Sequence, residues 1–581
     1  MDLSQPECSA GGDRLSKLGD HVLGNILSFL PANEAASAAL LSSRWRHVFG
    51  AVHTVSLNEP EPPISDDYGQ YQCDSPSCHP EHPPDPNAPP SFRSVVSAAL
   101  IARHRRRGVV APLRALHVAM GSYRGAADAT EVDQWISYAL RQAAPDGLDL
   151  GLRLCHEDLL CCRTEYTMCR GNVETADPRT FGQTTYGIDE EDPPKRRRIL
   201  KSSVGSAQYS DSDDGSVVSS SDDEDLPSSE ERPVEPEPMY TVPRALFSCA
   251  DLRSLSLGFC RLAPPATVSL PSLVSLLLYS VPDTGADVEL LIAGCPRLAD
   301  LTLEACLEVT ALTISGGVRL RRLALRCCYM LATVAVDASE LRVFEYKGAV
   351  PDASSFLTTH GGGGFGRVDY CKVDICGAEA TSDEELVNLW RVLQLFVNAK
   401  HLHLESAHLG SGLDKEVPMG LPSFLSLRRL DMRGRLADND TGGIDAMRRI
   451  LERAPNVEAL SLAFHPPEPD LSYICWRPGI ASEREMLDAH HLSYSPYSVL
   501  TAPSAMTTIP CCLRSRVREI NLVHYQGGTA QRALAKFLLC NAPAVEKLWC
   551  EFAEGPMFEQ IQLMREIKGW LINKAADTHF G

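Results

Sequence analysis

The first clear pattern in the chain is a helical spacing of apolar residues near its start. Val22, Leu23, Ile26, Leu27 and Leu30 recur at steps of one, three, one and three, which places them along one face of a helix. A helical unit of this size is too small to bury all of these side chains internally. We therefore expect part of this face to contact another protein. The alternative is that it packs on the rest of this chain.

Farther along, the spacing changes to a repeated motif, L-x-x-L-x-L, in which other aliphatic residues or cysteine can replace leucine. Clear copies are Leu252-Leu255-Leu257, Leu273-Leu276-Leu278, Leu298-Leu301-Leu303, Leu320-Leu323-Leu325, Leu427-Leu430-Met432 and Val457-Leu460-Leu462. Looser copies are Leu113-Leu116-Val118, Leu341-Phe344-Tyr346, Val517-Ile520-Leu522 and Val545-Leu548-Cys550. The copies that start at residues 252, 273, 298, 320 and 341 follow at steps of 21, 25, 22 and 21, a period typical of leucine-rich repeats. Each copy predicts a short strand, and stacked strands would bury a ladder of leucines.

Segments between the motifs predict helices or turns. Cys295 and Pro296 precede one motif and Cys306 follows it, and we expect these cysteines to act as small buried apolar residues. Degenerate copies in FVNAKHLHL and RVDYCKVDI, and recurring proline turns, predict that the repeats run nearly to the C-terminal end. An amphipathic segment at 559–573 is expected to cap them.

Composition indicates a multi-domain protein with reduced cysteines. At 581 residues the chain is longer than one core usually serves, and no apolar run is long enough to span a bilayer. The first residues lack the layout of a secretory signal, so the 20 cysteines are expected to be thiols rather than disulfides. A formal net charge of -20 argues against nonspecific binding to nucleic-acid phosphates, although a local basic patch is compatible with it.

A proline-rich stretch at 59–91 is the first of two interruptions, and its composition predicts a linker without packed structure. Cys73, Cys78, His79 and His82 within it have the side-chain types of zinc ligands. Their spacing does not match a zinc knuckle, and we therefore favour the linker over a metal site. We expect no cofactor anywhere in the chain.

The second interruption, at 163–238, is serine-rich and acidic and is expected to be disordered, because it has too little apolar surface to offset the entropy of ordering. Inside it lies a basic tetrad that predicts a nuclear localisation signal, formed by Lys195, Arg196, Arg197 and Arg198. The alternative is a local counter-charge to the acidic run. Ser210 and Ser221 are each followed three residues later by an acidic residue, which suits an acid-directed kinase as well as a merely solvating tract.

The sequence contains no pattern typical of a catalytic site. The glycines at 361–364 lack the lysine of a phosphate-binding loop, and neither HExxH nor a nucleophile elbow occurs. His401 and His403 alternate on a predicted strand and so share one face, which we interpret as surface packing rather than a metal site. Any chemistry is therefore expected to come from partners.

Read in order, residues 13–57 resemble an F-box. The resemblance rests on the run Asp13-Arg14-Leu15-Ser16, on the apolar residues before Pro31 and on Leu40-Leu41-Ser42-Ser43-Arg44-Trp45-Arg46. It implies docking on a Skp-family adaptor, and through that adaptor on a cullin and a RING protein. The adaptor-binding residues that the resemblance implies are Leu15, Leu18, Val22, Leu23, Ile26, Leu27, Phe29, Leu30, Leu40, Ser43, Trp45 and Arg46. Gly19 departs from the family pattern, which usually has proline there, and Phe49 replaces a common second tryptophan.

Further segments are similar to the large plant group of F-box proteins with leucine-rich repeats. They are VDQWISYALRQAAPDGLDLGL, YTVPRALFSCADLRSLSLGFCRL and, resembling the FBD module, VREINLVHYQGGTAQRALAKFLLCNAPAVEKLWC. The implied fold class is an N-terminal all-α F-box followed by an α/β leucine-rich-repeat solenoid, interrupted by disordered insertions. The expected boundaries are 10–58 for the F-box, 59–91 for the linker, 92–162 for the first repeats, 163–238 for the acidic insertion, 239–555 for the main solenoid, which is FBD-like near its end, and 556–581 for a C-terminal cap.

The function that the resemblance implies is that of a non-catalytic substrate-recognition subunit of a cullin-RING (SCF-type) ubiquitin ligase, located in the nucleus, the cytoplasm or both. Its repeats would bind a protein target that the sequence does not identify. The alternative is a leucine-rich scaffold that binds proteins without any ligase. Neither interpretation involves nucleic acid or a membrane, and the two differ in whether the adaptor co-purifies.

Overall fold

Parallel strands stacked in one long sheet organise this chain. The computed structural model describes residues 17–38, 45–60, 90–104, 110–155, 239–314, 317–351, 356–360, 364–375, 382–413, 415, 420–436, 438, 442–465, 491–500 and 509–581. Most of the predicted linker and all of the predicted acidic insertion lie outside these ranges, so their expected disorder stays a prediction.

Helices occupy the N-terminal segment and recur between the strands. They are α1 Asp20–Leu27, α2 Ala32–Ser37, α3 Trp45–Val48, α4 Phe92–His104, α5 Ala126–Arg141, α6 Gly285–Ala293, α7 Asp383–Gln394, α8 Gly442–Arg453, α9 Cys511–Ser515, α10 Thr529–Asn541 and α11 Met557–Trp570. Short 3-10 helices occur at Phe49–Ala51 and Arg244–Ser248.

The strands of the described residues are mostly four to seven residues long. They are β1 Thr54–Asn58, β2 Ala115–Ala119, β3 Leu148–Arg153, β4 Leu252–Gly258, β5 Ser275–Tyr279, β6 Asp300–Glu304, β7 Ala311–Ile314, β8 Arg322–Arg326, β9 Thr333–Val336, β10 Val343–Gly348, β11 Leu357–Thr359, β12 Tyr370–Ile375, β13 His401–His408, β14 Arg429–Arg435, β15 Ala459–Phe464, β16 Glu519–Tyr525, β17 Lys547–Phe552 and β18 Asp577–Phe580.

Fifteen of these strands form one parallel sheet, in the order β1-β2-β3-β4-β5-β6-β8-β10-β12-β13-β14-β15-β16-β17-β18. The register aligns equivalent motif positions, so that Leu255 lies beside Leu276, Leu276 beside Leu301 and Leu301 beside Leu323. All four side chains are fully buried. Each leucine thus covers the next, as stacked repeats require, because one repeat alone cannot bury its apolar face.

Most strands of the long sheet are separated by a helix, but three consecutive repeats have a strand instead. β7, β9 and β11 form a separate three-stranded parallel sheet, in the order β11-β9-β7. The motifs around β7 and β9 start at 298, 320 and 341, so the repeats there are only 22 and 21 residues long. A strand rises about 3.3 Å per residue and a helix about 1.5 Å, so a four-residue strand covers a span that would need a helix about twice as long.

Local sequence explains where two of the intervening helices begin. Thr284 caps α6 by accepting a hydrogen bond from the Asp287 backbone N–H, and the Asp287 carboxylate accepts one from the Thr284 backbone. Ser382 and Glu385 form the same reciprocal arrangement at the start of α7. Such capping boxes satisfy backbone donors that have no partner inside the helix.

The structure shifts one expected boundary and adds a strand at each end of the sheet. Residues 54–58, which we placed in the F-box, form β1 and pair with β2 in the long sheet. Val55 and Leu57 point into the core as the motif leucines do. The sequence did not reveal this copy of the motif, because the next copy follows only 61 residues later. At the other end, the expected cap contains α11 and also β18, which pairs with β17.

Cysteines of the repeats behave as the sequence predicts. Cys295 and Cys306 are fully buried, and all described cysteines are free thiols. Burial raises the pKa of the Cys295 thiol to about 12, because a thiolate would lose its hydration there. Both side chains therefore contribute to packing, and the Cys295 thiol is a poor nucleophile.

Candidate functional site

Helix α1 and the turn that follows it present an apolar surface to solvent. Its members, which we call the helical apolar patch, are Val22, Ile26, Phe29 and Leu30. Phe29 is 89% exposed and Ile26 is 40% exposed, which is unusual for side chains of this size. Exposed apolar groups gathered on one small unit mark a protein-binding surface more often than a solvated one. The patch lies at the end of α1 and in the turn that follows.

Three residues that we expected at the adaptor contact lie inside the chain. Leu23 and Leu27 of α1 and Trp45 of α3 are 0%, 3% and 7% exposed, and they belong to the hydrophobic core. Buried side chains have no surface to offer a partner in this conformation. For these three, the alternative of packing within the chain applies, and their role is to hold the helices together.

The remaining expected contact residues divide in two. Leu18 is partly buried against the core. Leu15, Leu40 and Ser43 lie outside the described residues, as does the side chain of Arg46. Their predicted adaptor contacts therefore stay predictions.

Arg103 joins the N-terminal helices to the first repeat, and sequence analysis missed it. Its guanidinium is 2% exposed and donates to the carbonyl oxygens of Val52 and Ala111 and to the hydroxyl of Tyr138. Burial lowers its pKa, and these bonds compensate the desolvated charge. Nothing in the local pattern of α4 distinguishes this arginine from a surface residue, because its acceptors lie 8 to 51 residues away.

The second candidate surface is the polar strand face, which we define as the strand positions of the long sheet that alternate with the buried ones. On β3 to β5 these positions are often small or uncharged, as at Gly151, Ser254 and Ser256. From β6 to β14 they are mostly charged. On β17 the face carries an exposed tryptophan, Trp549.

Charged residues in the middle of the polar strand face neutralise one another. Arg322 and Arg326 reach the two carboxylate oxygens of Glu345 at 2.9 and 2.8 Å, and Arg326 also lies 3.4 Å from Glu304. Equivalent positions of successive strands hold these groups in register, since β8 pairs with β6 and β10. Hydrogen bonds from Arg326 and Arg322 outweigh the effect of burial and lower the pKa of Glu345.

The network continues along β12 to β14. Lys347 Nζ lies 3.3 Å from Asp374, and Lys372 Nζ lies 2.8 Å from Glu405. Burial and the nearby carboxylate of Glu405 raise the pKa of Asp374 to about 6. Burial acts on Glu405 in the same direction, but the adjacent His403 imidazole and the charge of Lys372 outweigh it and hold its pKa well below the usual range. Asp374 and Glu405 thus lie beside the same few positively charged side chains and compete for them.

The two histidines singled out in the sequence both lie on this face. His401 Nε2 is 2.6 Å from Asp431 Oδ2, and His403 Nε2 is 3.4 Å from Glu405 Oε2. The hydrogen bond from His401 outweighs burial and lowers the pKa of Asp431. Within the described ranges, no group of three or more His, Cys, Asp or Glu side chains is arranged to hold a metal ion. Each imidazole thus faces a carboxylate of its own strand or of the neighbouring strand.

Several sequence predictions fall outside the described residues. They are the zinc alternative at Cys73, Cys78, His79 and His82, the basic tetrad at 195–198, and the serines Ser210 and Ser221. Of the glycine run, only Gly364 is described, with a φ of 56° that suits a turn. Among the described residues, no helix combines the length and apolarity that crossing a bilayer requires.

Two family models match parts of this chain. A family model of the F-box domain matches residues 15–53, and a model described as At1g61320/AtMIF1, LRR domain, matches residues 233–359. The F-box match contains the helical apolar patch, and the repeat match contains β4 to β11. Neither matched domain is an enzyme domain.

Among characterised sequences, the chain is similar to plant proteins. F-box/LRR-repeat protein At4g14103 of Arabidopsis thaliana is 30% identical over 154 residues, which are 26% of this chain and 34% of that protein. F-box/LRR-repeat protein At1g48400 of the same plant is 47% identical over 47 residues, 8% of this chain and 10% of that protein. The matches thus span about a third or less of these relatives. The predicted resemblance is confirmed: the chain joins an F-box to leucine-rich repeats, as the plant F-box/LRR-repeat proteins do.

Proposed function

We propose that this protein is a substrate receptor of a cullin-RING ubiquitin ligase. Its F-box docks on a Skp-family adaptor through the helical apolar patch, and its polar strand face binds the target. The adaptor connects it to a cullin and a RING protein. The observation that carries the proposal is an exposed apolar patch inside a segment that matches the F-box model.

Burial explains why the patch needs a partner. Val22 and Ile26 of α1, and Phe29 and Leu30 of the turn after it, remain exposed although Leu23 and Leu27 of α1 are buried. One side of α1 packs in the core, and the other side is exposed to solvent. Covering an exposed apolar side chain contributes about 1.5–3 kcal/mol, so two well-covered residues can dominate a protein contact.

In this proposal the chain supplies no reacting group. It holds the target at the strand face while the adaptor holds the ligase, so that target lysines come close to the charged conjugating enzyme. Rate enhancement then comes from proximity and orientation. The absence of an enzyme domain among the matched regions is consistent with this division of work.

The test is a double substitution in the patch, Ile26→Lys with Phe29→Lys. Both residues are exposed, and lysine near the end of α1 suits the helix dipole, so the thermal midpoint should hold. Lysines at the contact leave charges desolvated, and affinity for a recombinant Skp-family adaptor should fall about 100-fold or more, measured by calorimetric titration.

Tyr497→Lys with Val499→Lys is the matched control, because these side chains are exposed to a similar or greater extent but lie far from the F-box in sequence. This variant should bind the adaptor as the unmodified chain does. If the patch variant keeps full affinity while folded, or if the unmodified chain fails to bind the adaptor, the receptor proposal fails. The chain would then be a leucine-rich scaffold without a ligase.

The proposal extends to location. The tetrad of Lys195, Arg196, Arg197 and Arg198 lies between acidic runs, outside the described residues, and its composition suits an import receptor. Replacing all four by alanine should shift a fluorescent fusion from nucleus towards cytoplasm. An unchanged distribution would remove the localisation signal and favour the counter-charge alternative.

A further inference from the structure

Trp549 is the feature of the polar strand face that the ion-pair network does not explain. It lies at the middle of β17 and is 47% exposed. Among the exposed large apolar side chains of the described residues, it is the one that belongs to a strand. Its neighbours across the sheet are Asn521 on β16 and His579 on β18. The imidazole of His579 lies beside the indole, with ring centroids 5.7 Å apart.

Carboxylates flank this indole. Glu551 follows it at the next outward position of β17. Asp577, which pairs in register with Lys547, precedes His579 on β18. The ion-pair neighbours of these two carboxylates are imidazoles, with His524 at 3.8 Å from Glu551 and His579 at 3.1 Å from Asp577.

The middle of the face is a poor place for a charged ligand by comparison. Glu345 and Glu405 already receive arginine, lysine or histidine side chains at close range. A ligand cation there would have to displace existing partners and would gain little. Around Trp549 it would meet an aromatic face and two carboxylates that form no ion pair with an arginine or lysine of the described residues.

We propose that Trp549, Glu551 and Asp577 form the anchoring site for the target, and that the site accepts a basic segment whose arginine guanidinium stacks on the indole. The inference rests on the proposed function, because it names the chemistry of the target that the strand face binds. An acidic segment would be repelled by the carboxylates. A purely apolar segment would leave them without a partner.

Lys547 is a positive charge close to the proposed site, and its removal tests the effect of charge in the opposite direction. It lies two residues before Trp549 on the same side of β17 and is exposed. Its ammonium group opposes an incoming cation. Removing that charge should therefore strengthen binding of a basic segment, whereas removing Glu551 or Asp577 should weaken it.

The experiment uses the full chain bound to its adaptor and three fluorescein-labelled nonapeptides. The peptides share a Gly-Ser background and carry arginine, glutamate or leucine at the central position. Fluorescence anisotropy should show the arginine peptide binding about fivefold more tightly than the other two, as expected for a cation on an exposed aromatic ring with nearby carboxylates. Trp549→Ala should remove this preference, and Tyr497→Ala, an exposed aromatic residue outside the strands, should preserve it.

Charge variants complete the test. Glu551→Gln with Asp577→Asn should weaken the arginine peptide about threefold, and Lys547→Gln should strengthen it. Equal binding of the three peptides, a preference for the glutamate or leucine peptide, or an unchanged affinity in Trp549→Ala would overturn the inference. Adaptor binding is measured on the same samples, so a failure of the receptor proposal would show separately, as an unmodified chain that does not bind the adaptor.

Discussion

Asp374 is a residue whose pKa is changed by its position on the polar strand face. Its carboxylate is 7% exposed, lies 3.3 Å from Lys347 and has the carboxylate of Glu405 nearby. Because its pKa is raised to about 6, the folded chain holds this proton more tightly than the unfolded chain does. The stabilising contribution is fully present below the ordinary pKa of 3.8 and is lost as the pH rises through about 6. Glu405, whose pKa is lowered, changes stability in the opposite sense.

We expect Asp374→Asn to raise the free energy of unfolding at pH 7.5 by about 2–3 kcal/mol, since asparagine keeps the shape and removes the disfavoured charge. The gain should shrink by about half at pH 5, where the wild-type carboxyl is largely protonated in the folded state. Urea denaturation at the two pH values measures the difference. Asp369→Asn is the control: its carboxylate is 44% exposed beside Lys400, and its loss should change stability by less than about 1 kcal/mol. A gain for Asp374→Asn that does not depend on pH would contradict the raised pKa.

Among the elements, α1 depends on a close approach that only glycine allows. A Cβ atom on Gly24 would lie 2.5 Å from the Ala51 carbonyl oxygen, in the 3-10 helix Phe49–Ala51. The two helices therefore touch backbone to backbone. Their contact buries Leu23 and Leu27 and turns the helical apolar patch outward.

Gly24→Ala should push these two helices apart and lower the free energy of unfolding by about 1–3 kcal/mol, with weaker adaptor binding as a consequence.

Gly19→Pro is expected to have the opposite effect on stability. Gly19 has a φ of -66°, which proline adopts, and a Cβ there meets nothing within 4 Å. We expect it to raise stability by about 0.4–1 kcal/mol through the unfolded state. Thermal unfolding of both variants measures these changes. An unchanged stability of Gly24→Ala would mean that the helices can separate without a loss of free energy of unfolding.

At the scale of the whole molecule, the long sheet continues directly from the strand before the acidic insertion to the strand after it. β3 ends at Arg153 and β4 begins at Leu252, yet Leu150 and Leu152 pair directly with Leu255 and Leu257. The pairing of β3 with β4 therefore does not use residues 165–238. Lengthening or shortening a loop costs little free energy, because closure entropy grows only slowly with length.

Deletion of 165–238 should consequently change the thermal midpoint by less than about 2 °C. A deletion that also removes 148–153 takes out β3 and should lower the midpoint strongly, because its neighbours β2 and β4 lose their partner strand. Differential scanning calorimetry compares the two. If the shorter deletion alone lowers the midpoint by many degrees, the insertion packs on the repeats.

Much of the architecture follows from local pattern. Every motif copy named in the sequence corresponds to a strand of the long sheet, from Leu116 on β2 to Leu548 on β17. A leucine every second or third position predicts a strand because side chains alternate along it, and a period near 22 predicts stacking. The F-box could be recognised because its residues are contiguous.

Other features depend on residues that are far apart in sequence. Val22 and Leu23 fit the same helical pattern, yet Leu23 is buried and Val22 is exposed, because the 3-10 helix at Phe49–Ala51 packs on one side of α1. Similarly, Trp549 differs from a core tryptophan only by its register, which places it on the outer side of β17 between Asn521 and His579. Periodicity locates an element and its apolar side, but which residues of that side a distant segment covers is a property of packing.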